Sequence, residues 1–305
     1  MVSLEDIKLF FRGRIRLQEP LAPFTSMKVG GPADYYVEPA DQEDLVAIIQ
    51  YFRNNRFPYM MIGRGSNMII SDSGFRGAAV SLESGLSSVR LEEGLVVAEA
   101  GARLTKLADF CAQNGLSGLE WSAGIPGSVG GAVVMNAGAH GSEMKDHLVD
   151  VEVLRGGQVV VVRKEEGNFA YRASAFTEDV VLAARFSLQS GNKEEIIKRK
   201  SELIARRNAT QPLNLPNSGS MFRNPPGTFA AKLIEQASLK GKRIGDAQVS
   251  EKHANFMVNL GHARSDDILR LIDLVRRTVY QNTGLQLELE VKLVGFSENA
   301  FAHVP

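Results

Sequence analysis

Residues 115–141 read GLSGLEWSAGIPGSVGGAVVMNAGAHG. Eight of these positions are glycine, the filling is Ile, Val, Ala and Met, and Pro126 is the single proline. Glycine loses more chain entropy on folding than other residues, so its repeated use points to positive φ or to a group that approaches the main chain closely. A flexible linker would carry Ser and polar filling instead of these apolar residues. The stretch therefore reads as a buried, tightly turned backbone whose N–H groups face a flat or phosphorylated ligand. A glycine-rich turn packed in the core is the plainer alternative.

Upstream, the strand-like run FPYMMIG enters Gly63-Arg64-Gly65-Ser66-Asn67 and MII leaves it. Successive N–H groups, a serine hydroxyl and an asparagine that tolerates the left-handed region suit a pyrophosphate, although a tight strand-to-strand turn has the same composition. The dinucleotide fingerprint is absent, because Met68 occupies the place of its third glycine and a strand follows. Around these loops, ADYYVEP alternates as a strand after a Gly-Gly-Pro turn. Asp41 caps a helix whose buried face is Leu45, Ile48, Ile49 and Phe52. Short β runs fill 77–99, a helix spans 104–114, LVDVEVLRGGQVVVVRK forms a hairpin turning at Gly156-Gly157, and DVVLAARFSL is a strand.

The helix over 193–210 is charged, with Ile196, Ile197, Leu203 and Ile204 as its apolar stripe. QPLNLPNSGS, with two prolines, then marks a boundary. Beyond it come a helix over about 228–237 and the strand-like GDAQVS and ANFMVNLG. The next helix has Ser265 as its N-cap, Ile268, Leu271, Ile272, Val275 and Val279 as its buried face, and Gly284 as its stop. LQLELEVKLVG alternates as a closing strand, with Leu285, Leu287, Leu289, Val291 and Leu293 on one face and Glu288, Glu290 and Lys292 on the other.

The chain has 305 residues, and 35 Lys plus Arg balance 35 Asp plus Glu. Zero net charge argues against a nucleic-acid footprint or a basic membrane surface, so an anionic ligand must be met locally. The lone cysteine, Cys111, allows no internal disulfide and reads as a buried structural thiol. The N-terminal residues show no signal-peptide core and no window reaches membrane-span length, so a cytoplasmic location is expected; a monomer is the separate expectation for its assembly. His140, His147, His253, His262 and His303 lack metal-ligand spacing, and no metal is expected.

Neither a G-x-S-x-G elbow nor a Walker lysine motif is present. The polar candidates are Ser220 behind a glycine, Arg172 behind a tyrosine, and Glu290 in the last strand. Each has a plain alternative: a turn serine, a surface ion-pair partner, and the solvated face of a strand.

Taken together, TSMKVGGP, IGRGSN, the glycine stretch, YRASAF, GSMFRNP, HANFMVN and ELEVKLVG resemble, in order, the signature segments of the UDP-N-acetylenolpyruvoylglucosamine reductases, the flavoenzymes of peptidoglycan precursor synthesis. The resemblance covers essentially the whole chain. It implies an α+β fold: an FAD-binding region of the vanillyl-alcohol-oxidase (PCMH) type over 1–195, with subdomains of about 1–60 and 61–195, and a substrate-binding domain over 196–305. It implies non-covalent FAD held by Gly63, Arg64, Gly65, Ser66 and Asn67 and by Gly124, Ile125, Pro126, Gly127, Ser128, Gly130, Gly131, Ala132 and Asn136. NADPH is the implied reductant and a sugar nucleotide the substrate, with Arg172, Ser220 and Glu290 catalytic and Tyr171, Arg172, Arg223 and Asn224 binding substrate. Arg206 and Arg207 are neighbours of the UDP moiety by position alone.

The chain departs from the family pattern at Phe24-Thr25, where Asn-Thr is usual, and at Leu289, where proline is usual. It resembles the shorter branch, which lacks the tyrosine-lid insertion. Two competing readings are an FAD oxidase of the same fold, with His140 as a flavin-attachment candidate, and a flavin or sugar-nucleotide binding protein without turnover.

Overall fold

The structure, a computed structural model, describes residues 2–297; His303 lies outside them. The chain forms two compact units that are discontinuous in sequence. One takes the chain through Leu17, Tyr35–Gly63 and Gly77–Arg207; the other takes Gln18–Asp34, Arg64–Arg76 and the chain from Asn208 onward. A single cut near residue 195, as expected from the resemblance, would leave two segments of the second unit with the first.

In the first unit, Asp41 caps the helix Gln42–Asn54 by accepting the Asp44 N–H at 2.9 Å, and Leu45, Ile48, Ile49 and Phe52 are fully buried along one face. The unit's main sheet is antiparallel, with strands in the order Gln158–Arg163, Leu148–Arg155, Val180–Phe186, Leu95–Glu99 and Val89–Glu92. The tight turn at Gly156-Gly157 has positive φ at both residues, which glycine adopts without a Cβ clash. The helix Leu104–Gln113 buries Leu104, Leu107 and Cys111. Burial, with Glu120 adding to it, pushes the Cys111 thiol up to about 12, so it stays neutral and serves packing.

The glycine stretch holds an element that its composition conceals, the short helix Val129–Val134. Gly-Gly is a poor helix former, and tertiary packing overrides it. The Val129 N–H donates to the Ala102 carbonyl at 2.8 Å and the Gly130 N–H to that of Ala100 at 2.9 Å. A Cβ on Gly130 would stand 2.9 Å from the Ala100 Cβ, so this glycine permits the approach of two backbones. The stretch ends in a small hairpin, Gly138–Ala139 against Ser142–Glu143, with His140 and Gly141 at its turn. Lys193–Thr210 is helical as predicted, but only Ile196 of its expected stripe is buried.

The second unit has its own core, which draws Met27, Val29 and Ile69 together with Met221, Phe222, Ile268 and Ile272. Its antiparallel sheet runs Asn217–Ser220, Phe256–Asn259, Ala247–Val249, Arg243–Ile244. The helix Ser265–Thr283 buries the five predicted apolar residues and stops at Gly284 with φ of 72°. Arg264, not Ser265, is its N-cap: the Ser265 hydroxyl accepts the Asp72 N–H at 2.8 Å, and the Asp267 carboxylate accepts the Arg264 N–H at 3.1 Å. The long closing strand also shrinks. Only Lys292–Val294 is a strand, parallel to Met68–Ile70, and residues 285–291 belong to no strand, with Leu287 and Val291 buried.

Candidate active site

The loop after Tyr59–Met61 presents Gly63 and Arg64 to solvent. Among the described residues, the N–H groups of Gly63, Gly65 and Ser66 donate to no protein acceptor. Three N–H donors within four residues are thus left without a protein acceptor, which is the composition that an anion-binding main chain requires. Gly65 has φ of 54°, and a Cβ there would meet the Phe24 carbonyl at 2.4 Å, so this glycine is required twice over. Asn67 turns away from the donor run: its amide donates to the Glu290 carbonyl at 3.1 Å, and its own carbonyl accepts the Lys292 N–H at 3.0 Å.

Of the first predicted flavin loop only Gly63 lies in the first unit, where it adjoins the second loop. A Cβ on Gly63 would lie 2.4 Å from Ser128 Oγ, so the absence of a side chain at 63 makes room for Ser128. The second loop is not the donor nest that its composition suggests. Its Ile125, Gly127, Val129, Gly130 and Ala132 N–H groups are all bonded within the protein, because the glycines let the chain fold back on itself. What it presents outward is shape. Gly124, Ile125 and Gly127 are half-buried and Pro126 and Gly131 exposed, whereas Gly130, Ala132 and Asn136 face the interior. Arg207 flanks it, with Cδ 2.8 Å from where a Gly124 Cβ would be, and burial lowers the affinity of its guanidinium for a proton.

Each segment by itself is chemically suited to FAD: the first offers N–H donors of the kind a pyrophosphate needs, and the second carries few side chains that would oppose the close approach of a ring system. Gly63, Gly65, Ser66, the Gly124–Gly127 segment and Gly131 are the residues that fit it.

Arg172 sits at the tip of a tight turn. Ala170 and Ala173 exchange both main-chain hydrogen bonds, at 3.0 and 3.2 Å, and Arg172 has φ of 56°. A type II turn favours glycine at this place, so an arginine here is backbone strain, about 1–3 kcal/mol, of the kind found at functional sites. One guanidinium nitrogen donates to the Gly138 carbonyl at 2.9 Å, and the guanidinium carbon lies 5.0 Å from the centre of the half-exposed Tyr171 ring. Asn136, expected to touch FAD, is fully buried with both amide hydrogens committed, to Glu143 at 2.9 Å and the Ala170 carbonyl at 3.0 Å.

The second unit brings Ser220 and Glu290 together. The segment that follows Ser220 pairs with residues 288–290: the Glu290 N–H donates to the Met221 carbonyl and the Arg223 N–H to the Glu288 carbonyl, both at 2.9 Å. Leu289 bridges Phe222 without spending its N–H there, so a residue that lacks an N–H, such as proline, would lose no hydrogen bond at this position. The Ser220 hydroxyl has no hydrogen-bond partner among the described residues. Gly219, with φ of 74°, forms the bulge in front of it. Asn224, expected at the substrate, uses its side-chain oxygen to accept the Ala230 N–H at 3.1 Å, whereas Arg223 is half-buried.

Asn255 escaped the reading of the sequence. It is buried, accepts the Phe222 N–H at 3.0 Å, donates to the Phe222 carbonyl at 2.7 Å, and its own carbonyl accepts the Met221 N–H at 2.8 Å. A side-chain amide that copies a neighbouring strand leaves no local signal beyond its presence in HANFMVN.

Residues 33–163 match the FAD binding domain family, and residues 211–294 match the C-terminal domain of UDP-N-acetylenolpyruvoylglucosamine reductase. The UDP-N-acetylenolpyruvoylglucosamine reductase of Chloroherpeton thalassium is 44% identical over 98% of this chain and 99% of its own length. That of Caldanaerobacter subterraneus subsp. tengcongensis is 44% identical over 93% of this chain and 94% of its own. The crystal structure of the Thermus caldophilus enzyme superposes with a TM-score of 0.80 at 38% identity, covering 93% of this chain and 100% of that one. Two glycine loops shaped for FAD, the expected candidates on their own well-held segments, and these near-full-length matches have one explanation: the chain belongs to the UDP-N-acetylenolpyruvoylglucosamine reductase family of flavoenzymes.

Proposed function

We propose that the protein reduces UDP-N-acetyl-3-O-(1-carboxyvinyl)glucosamine to UDP-N-acetylmuramate with NADPH as the reductant. The observation that carries this reading is the uncommitted Ser220 hydroxyl on a main chain bonded to Asn255 on one side and to residues 288–290 on the other. FAD, when bound, supplies the passage of hydride from NADPH to the terminal enolpyruvyl carbon.

Hydride addition leaves negative charge on the neighbouring carbon and its carboxylate. Arg172 meets the carboxylate with a planar, permanently charged fork and stabilises it more as enolate character grows. Ser220 delivers the proton to the carbanion-like carbon, for which a hydroxyl already bonded elsewhere would be poorly suited. Glu290 can donate a hydrogen bond to the enolate only when protonated; an ionised carboxylate there would repel it. Gly63, Gly65 and Ser66 hold the flavin pyrophosphate through their N–H groups. Arg206, Arg207 and Arg223 are candidates for the nucleotide's phosphates.

The test is anaerobic. The purified protein should be yellow, bleach with NADPH, and recover its colour on addition of the enolpyruvyl sugar nucleotide. Recovery with oxygen alone would point to an oxidase, and a colourless protein that takes up no FAD would overturn the cofactor assignment.

A further inference from the structure

Arg172 occupies a backbone conformation that an isolated turn would relax, so something must hold the Ala170–Ala173 turn in place. The contacts that do so converge on Asn136. It is fully buried and has φ of 41°, a conformation that asparagine tolerates better than most residues. One amide hydrogen goes to the Ala170 carbonyl, at the foot of the turn, and the other to the Glu143 carboxylate. Its carbonyl oxygen accepts the Lys145 N–H at 3.2 Å, while Lys145 Nζ reaches Glu143 at 3.1 Å. Glu143 belongs to the hairpin whose Gly138 carbonyl receives the Arg172 guanidinium. One side chain thus ties the main chain of the Arg172 turn to the element on which the Arg172 side chain rests.

Resting on the reading of Arg172 as the carboxylate-binding group, we propose that Asn136 is a positioning residue that sets the aim of the Arg172 fork. It has no amide hydrogen left for a flavin. Its influence on the reaction runs through Arg172.

Two substitutions in the holoenzyme test this. Asn136→Gly keeps the left-handed backbone accessible and removes the bracket. Asn136→Asp keeps the shape, abolishes both donated hydrogen bonds and sets a second carboxylate beside Glu143. Titration through the flavin absorbance compares UDP-N-acetylmuramate, which carries a carboxylate, with UDP-N-acetylglucosamine, which does not. Each variant should bind flavin normally, weaken the carboxylate-bearing ligand about tenfold and leave the other within about twofold. The loss should vanish when either substitution is made on top of Arg172→Ala. Equal weakening of both ligands, or an undiminished effect in the Arg172→Ala background, would reduce Asn136 to a structural residue. If Arg172→Ala by itself leaves binding of the carboxylate-bearing ligand unchanged, the assignment of Arg172 fails instead. Should Asn136→Gly not fold, the Asp variant carries the same comparison.

Discussion

The Ala170–Ala173 turn and the segment around Ser220 each lean on a buried asparagine, and they differ in what else holds them. Asn255 reinforces a segment that is already secured by a strand pairing at Ser220 and a main-chain pairing at residues 221–223. Asn136 supports a two-residue tip whose ties include its own two turn bonds, the hydrogen bond of Arg172 to the Gly138 carbonyl, and a 2.8 Å hydrogen bond from Ser174 Oγ to the Val134 carbonyl. Redundant pairing fixes where a small side chain sits. At the other turn a long, charged side chain is carried on a strained backbone, so its aim is more sensitive to the buried asparagine.

Ser220→Ala should give the largest effect. It removes the proposed proton donor from a segment that needs no hydroxyl for its fold, so substrate-driven flavin reoxidation should fall about 10³-fold with FAD still bound. A parent-like rate in stopped flow would remove Ser220 from that role.

Arg172→Lys comes next, at about 10²-fold in turnover, because a point charge does not reproduce the planar fork or its rest on Gly138. Activity near the parent's would show that charge alone suffices and that the held turn is incidental.

Asn255→Ala separates the two regions by stability. Two buried main-chain groups of Phe222 lose their partners at about 1–3 kcal/mol each, which urea unfolding would register as a lower midpoint. Among molecules that remain folded, turnover should fall less than in Asn136→Gly, since the strand pairings persist. The reverse order would overturn the comparison.

The smallest effect is on pH dependence. The Asn255 N–H donates to His253 Nδ1 at 3.3 Å, and burial, aided by Lys240, lowers the affinity of this imidazole for a proton, with Glu235 opposing. A histidine that resists protonation when folded contributes stability above its unfolded pKa, about 6.5, and loses it as pH falls. Urea midpoints at pH 7.5 and 5.5 should therefore differ by less in His253→Asn than in the parent protein.

The helix Gln42–Asn54 was legible because its cap and its periodicity agreed, whereas Lys193–Thr210 was read from a stripe of which only Ile196 is buried. The closing strand was misread because alternating burial of Leu287 and Val291 also arises in a segment that makes one isolated bridge, Leu289 to Phe222, and no ladder. The glycine stretch disclosed a close approach of backbones but not the helix at its centre, since Ala100 and Ala102 supply partners that no local window contains. Arg172, Ser220 and Glu290 stood out as candidates only through the order of motifs across the whole chain; each alone reads as an ordinary polar residue. Asn136 and Asn255 act through partners 34 and 33 residues away, beyond the reach of any local periodicity.

The interleaving of the two units bears on how the chain is made. A nascent chain that has reached Arg207 already holds every segment of the first unit. Met27, Val29 and Ile69 by then have left the ribosome, yet the core they join is built with residues that come after 220. At about 5–20 residues per second, these apolar groups wait several seconds or more for their partners. Truncation near residue 207 would make that wait permanent, and the product should be sticky even though the first unit is complete.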